Sequence, residues 1–121
     1  MKPLVILLIS VSLTSIGQII LKKGLLIVGP IEKMGLKFFQ MLSNPLVMLG
    51  VTFAILGWTA YVMALSKAEL SYAYPIWSLT YVIVPLLSLF IFKESISLMK
   101  MGGLGFIFLG VFLVATSINV K

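Results

Sequence analysis

The chain has 121 residues, 61% of them apolar and 10% charged, with a net charge of +6 and neither cysteine nor histidine. A soluble domain of this size needs far more polar surface, and without cysteine, histidine or aspartate the chain cannot build thiol or iron–sulfur chemistry, metal clusters or histidine-based nucleophilic triads. Lysine supplies all the positive charge; with no basic run in a polar context it reads as helix-end anchoring rather than a nucleic-acid surface.

Lys and Glu leave four uncharged stretches, residues 3–21, 38–66, 70–92 and 101–120. Each offers about the 20 residues an α-helix needs to cross the hydrocarbon core. The expected fold is an all-α integral membrane protein, one domain with four transmembrane helices at about residues 3–23, 45–65, 71–92 and 98–117. The first stretch resembles the apolar part of a signal peptide. Its length and the lack of a small-x-small cleavage site predict a retained span.

In helix one, Ser10, Thr14 and Gln18 share a face at spacing four, with Gly17 beside them. Gln18 is the costliest residue to bury, because its amide has two donors and an acceptor to satisfy. Either the hydroxyls bond back to the preceding turn and Gln18 ties helices together, or the face lines a substrate path. Gly29-Pro30 then breaks any helix. Residues 31–42 are amphipathic, with Glu32, Lys33, Lys37 and Gln40 opposite Ile31, Met34, Phe38, Met41 and Leu42. They predict a helix lying in the membrane interface, the alternative being an extension of helix two. Ser43-Asn44-Pro45 is a helix-start signal and favours the separate segment.

Helix two carries Trp58 and Tyr61 near its far end, as headgroup-level anchors or as ligand contacts. Gly50 and Gly57, seven apart, leave room for another helix to approach. The short link at residues 66–71 predicts an antiparallel hairpin with helix three. Helix three is the stretch around which the rest is expected to be organised. Tyr74, Ser78, Tyr81, Pro85 and Ser88 recur at steps of four and three along one face. Buried hydroxyls without partners cost a few kcal/mol, so this face is expected to look into a protein interior or a cavity. Pro85 is expected to kink the helix near its middle. After a turn at residues 93–97, helix four carries Gly102, Gly103, Gly105 and Gly110; small residues are what membrane helices use to associate.

The glutamates Glu32, Glu69 and Glu94 all fall in connections, so no ionisable residue lies deep in a predicted span. A carboxylate at the bilayer centre costs roughly 2.5–3.5 kcal/mol and is kept there chiefly to couple protons or bind cations. Lysines at the span ends, including Lys22, Lys23, Lys67, Lys93 and Lys100, serve either as anchors or as attractors of phosphate head groups. Six lysines on the face of loops one and three against three on the other predict both termini outside the cytoplasm. With no acid, base or nucleophile constellation in the spans, an enzyme is not expected.

Ile16-Gly17-Gln18 with Lys22, Ala73-Tyr74-Pro75-Ile76-Trp77-Ser78, and the Gly103/Gly110 pair followed by Val111 resemble the small multidrug resistance family of the drug/metabolite transporter superfamily, over nearly the whole chain. The resemblance implies that helix four dimerises, usually in an antiparallel pair through Gly102, Gly103 and Gly110, and that helices one to three enclose the substrate. Drug- and guanidinium-exporting members carry an essential glutamate where this chain has Thr14, and a glycine-valine-glycine hinge where it has Leu79-Thr80-Tyr81. Gly17-Gln18 and the pattern Ala-Tyr-Pro-x-x-Ser-Leu-x-Tyr are more similar to the lipid-transporting, EamA-like branch, which includes subunits that flip aminoarabinose-linked undecaprenyl phosphate. By that resemblance Thr14, Gln18, Tyr74, Trp77, Ser78 and Tyr81 line the path of a polar head group, with Tyr61 a further candidate and Lys22 and Lys23 near its phosphate.

The expected function is a flippase for a polyprenyl-phosphate-linked sugar in a bacterial or archaeal inner membrane, working as a homodimer or with a similar small subunit, without a cofactor. The rivals are an exporter of hydrophobic cations or small metabolites, and a non-transporting membrane subunit of a glycolipid-modifying complex.

Overall fold

The computed structural model describes residues 2–30 and 35–116. They form helices α1 (Pro3–Val28), α2 (Leu36–Ser43), α3 (Pro45–Leu65), α4 (Leu70–Trp77), α5 (Thr80–Ile91) and α6 (Leu98–Ala115), and no strand among the described residues. α1, α3, α4 with α5, and α6 are each long and apolar enough to cross a membrane. The chain is a multi-pass membrane protein.

Pro3 starts α1 at a position where its missing N–H is not needed. Gly29, at φ 92°, ends it with its N–H on the Leu25 carbonyl at 2.8 Å. The 26 residues of α1 rise about 39 Å at about 1.5 Å per residue. It therefore runs through Lys22-Lys23-Gly24, past the expected end at residue 23, and Thr14 and Gln18 bracket its middle. Of the segment expected as an interfacial helix, the described part forms α2, Leu36–Ser43, and residues 31–34 lie outside the described residues. Asn44 caps α3, its Oδ1 accepting from Leu46 N at 2.9 Å and Val47 N at 3.3 Å, with Pro45 next.

The third span is broken ahead of Pro85. Pro85 lies inside α5, and the helix is interrupted at Ser78 and Leu79. Two hydroxyls account for this. Ser78 Oγ donates to the Pro75 carbonyl, and Thr80 Oγ1 donates to the Trp77 carbonyl at 3.1 Å. Those are the acceptors that the N–H groups of residues 79 and 81 would use in an α-helix. Leu79 N turns instead to Ile76 O at 3.0 Å, and Tyr81 N to Ser78 O at 2.8 Å, a 3₁₀ pattern. Pro75, lacking an N–H, weakens the preceding turn as well.

The hub is α1 rather than the third span. α1 packs along α3 and against α4 and α5, and among the described residues α6 packs chiefly on α4 and α5. The α1–α3 seam is built on glycines. A Cβ on Gly17 would stand 2.9 Å from the Gly50 carbonyl oxygen, and one on Gly50 2.8 Å from Leu21 N. Gly24 meets Val47 in the same way, and Gly57 lies against Thr14 and the Ser10 carbonyl. Backbone contact this close is what associates helices where lipid offers no hydrophobic drive. Gly50 and Gly57 thus receive a neighbour, as their spacing suggested, and it is helix one. The expected hairpin of α3 with the third span is confined to its turn end, where Tyr61 and Ala64 meet Tyr72, Ala73 and Ile76 over Ile6 and Leu7.

Candidate functional site

The break at Ser78–Leu79 sets α4 and α5 against α1 at the level of Thr14 and Gln18. A cleft of about 370 Å³ opens there, lined by Thr14, Gln18, Trp77, Thr80, Tyr81, Val84 and Pro85. The structure thus brings together four of the residues expected to bind substrate: Thr14, Gln18, Trp77 and Tyr81. Gln18 and Tyr81 are exposed in it, and the Gln18 amide has no hydrogen-bond partner among the described residues. Thr14 is only 7% exposed, yet its Oγ1 is buried without a partner. The Gln18 amide and the Tyr81 hydroxyl, without a partner among the described residues, are free to bond a polar guest, whereas Thr14 Oγ1 is shut in against Gly57.

Trp77 lines the cleft and is tied to its neighbours. Its Nε1 donates to Ser10 Oγ at 3.1 Å, and Ser10 Oγ donates to the Gly57 carbonyl at 2.6 Å. This relay joins three spans through one fully buried serine. The Trp77 ring also stacks on Tyr74 at 6.2 Å and leans on Tyr61 at 5.7 Å.

Tyr61 and Tyr74 are on the other side of that ring. With Leu70, Ser71 and Pro75 they line a cleft of about 650 Å³ toward the α3–α4 turn. Tyr61 is buried in the core and Trp58 points outward. Ser78 lines neither cleft; its hydroxyl is bound to its own helix. The face of Tyr74, Tyr81, Pro85 and Ser88 does meet cavities, but within one chain they are open at the surface: Tyr74 and Tyr81 are each about half exposed.

Of the two lysines proposed for a head-group phosphate, Lys22 lines a separate cleft with Leu25, Gly29, Pro30, Phe38 and Met41, and Lys23 does not. Gly102, Gly103, Gly105 and Gly110 have open space where a Cβ would be, so α6 offers its glycines to no other helix of the described chain. The sequence reading missed two features. Gly17 and Gly24, seven apart on α1, mirror Gly50 and Gly57, and that spacing was the available signal. Thr80, in the lining beside Tyr81, carried none.

Comparison with known proteins adds to this picture. The EamA-like transporter family matches residues 2–116. The chain is 35% identical over 117 residues to a probable 4-amino-4-deoxy-L-arabinose-phosphoundecaprenol flippase subunit, ArnF, of Photorhabdus laumondii subsp. laumondii, covering 89% of this chain and 92% of the relative. No solved structure gives a significant match.

Proposed function

The chain belongs to the EamA-like transporter family, and from that premise we propose that it flips a polyprenyl-phosphate-linked sugar across a bacterial or archaeal inner membrane. The observation that carries the reading is the neutral cleft at mid-depth. Gln18 and Tyr81 present an amide and a hydroxyl there, beside Thr14 and Thr80, whose hydroxyls are turned into the protein, and no carboxylate, lysine or histidine lines it. Neutral donors and acceptors replace water around a sugar or phosphate as it crosses, while the polyprenyl tail stays in lipid through the open side. Without a carboxylate in the spans the chain has no group of its own for exchanging protons against a cation. Direction then comes from synthesis of the lipid on one leaflet and its consumption on the other. The relative's lipid, with its amino-arabinose and phosphate, is the substrate class we assign.

A second membrane chain completes the site in this reading. The relative is a subunit, the clefts are open on one side, and α6 leaves its glycines uncovered. Another copy or a similar small subunit, set antiparallel against α6 through Gly102, Gly103 and Gly110, would wall the path.

The test is leaflet-to-leaflet transfer of 4-amino-4-deoxy-L-arabinosyl undecaprenyl phosphate in proteoliposomes holding the purified protein. Transfer proceeds without an imposed proton gradient, and Gln18→Leu lowers it about tenfold or more while insertion is unchanged. Unaltered transfer by Gln18→Leu removes the lining role, and transfer that demands a pH gradient favours the cation exporter.

A further inference from the structure

Beyond the central cleft, toward the α5–α6 connection, a further cleft of about 480 Å³ separates α5 from α6. Val84 and Pro85 line both cavities, so the two share a wall. Its outer part is charged, lined by Ser88, Glu94 and Lys100. An acid and a base here face one space without forming an ion pair with each other, and the Ser88 hydroxyl has no partner among the described residues.

The backbone holds these groups in place. Lys93 adopts φ 56° and is the one described residue other than glycine in the left-handed region. That conformation costs a lysine roughly 1–2 kcal/mol, and such costs concentrate at functional positions. Here it turns the chain at the end of α5, so that Glu94 N points back to the Ser88 carbonyl at 3.5 Å and Glu94 stands over the cleft. On the opposite wall, Ser97 Oγ accepts from Lys100 N at 3.2 Å and fixes the first turn of α6, which carries Lys100. One turn deeper, Gly103 lines the cleft, so the second chain proposed to pack on α6 borders it there.

We propose that this cleft is a docking subsite for a zwitterionic head group, with Lys100 taking the lipid phosphate and Glu94 the ammonium of the sugar. This rests on the lipid-flipping reading and deepens it. Opposite charges on one small head group match opposite charges that the protein leaves unpaired, and a charge-assisted hydrogen bond is about twice as strong as a neutral one. From the subsite the head group moves along Val84 and Pro85 to Gln18 and Tyr81, leaving charged partners for neutral ones. A lipid with a phosphate and no amine satisfies only half of the site. Selectivity for the amino-sugar is therefore set at the rim, before the crossing.

The experiment measures binding of two probes, undecaprenyl phosphate and its 4-amino-4-deoxy-L-arabinose conjugate, to the full chain in nanodiscs, beside flipping in proteoliposomes. Glu94→Gln weakens binding of the conjugate about tenfold and leaves undecaprenyl phosphate unchanged, and Glu94→Asp restores the preference. Lys100→Gln weakens both probes about tenfold. Glu94 and Lys100 are exposed, and melting curves matching the unsubstituted protein confirm that both variants fold. If both variants bind both probes as the unsubstituted protein does, while Gln18→Leu still stops flipping, the subsite is wrong and the flipping reading stands. If the unsubstituted protein flips neither lipid, that reading falls and takes the subsite with it.

Discussion

Two parts of this molecule carry glycines at the same seven-residue spacing and use them in opposite ways. Along α1 and α3, Gly17, Gly24, Gly50 and Gly57 are consumed inside the chain, where any added side chain would strike a neighbouring residue. Along α6, Gly102, Gly103 and Gly110 stand free, on a helix whose apolar side chains, such as Leu98 and Phe106, are mostly exposed. Spacing alone marks a surface that helices can approach. It does not say whether the approaching helix belongs to the same chain.

The largest effect that separates the two regions is on stability. Gly50→Ala places a Cβ 2.8 Å from Leu21 N and 2.9 Å from Leu21 Cα; backbone cannot step aside as a flexible side chain can. The variant loses about 2–3 kcal/mol in reversible unfolding from detergent micelles. Gly110→Ala, with open space around it, changes the same measurement by less than about 0.5 kcal/mol. Equal losses at the two positions break the comparison.

A smaller effect sharpens it at the relay that spans the seam. Trp77→Phe keeps an aromatic ring beside Tyr61 and Tyr74 but removes the Nε1 donor to Ser10 Oγ. It costs about 1 kcal/mol in the same unfolding measurement. No change would mean that the bond does not hold the third span to the seam.

An effect of the opposite sign belongs to Thr14, which sits on the seam and on the cleft together. Its Oγ1 is buried without a partner, so Thr14→Val removes an unsatisfied hydroxyl at nearly constant volume. Stability holds or rises by up to about 1 kcal/mol, and lipid transfer is little changed, because the hydroxyl faces Gly57 rather than the cleft. A clear destabilisation would show that the hydroxyl is bonded within the protein.

Much of this architecture was readable in the residues. Uncharged runs bounded by lysines located the spans, Asn44-Pro45 marked the start of α3, and Gly29-Pro30 the end of α1. The polar faces that carry Thr14 with Gln18 and Tyr81 were legible because hydroxyls and an amide within apolar helices demand partners, whereas Trp77 was expected in the lining only through the family resemblance. The break in the third span was not legible. Proline content pointed to Pro85, while the deciding competition was between the Ser78 and Thr80 hydroxyls and two backbone N–H groups for the same carbonyls. Such a contest depends on rotamers that sequence does not display. The central place of α1 was hidden for a related reason, since Gly17 and Gly24 look incidental until Gly50 and Gly57 are set against them.

The chain has no cysteine, and that permits a direct test of the central claim, that a polar guest occupies the cleft between α1 and the broken third span. Single cysteines are introduced as Gln18→Cys and, on the exposed face of α6, as Leu109→Cys, and each is reacted in proteoliposomes with a hydrophilic thiol reagent. The Gln18→Cys protein is modified readily and is protected by 4-amino-4-deoxy-L-arabinosyl undecaprenyl phosphate, while the Leu109→Cys protein reacts slowly with or without lipid. Equal labelling at the two positions, or no protection at position 18, contradicts the account.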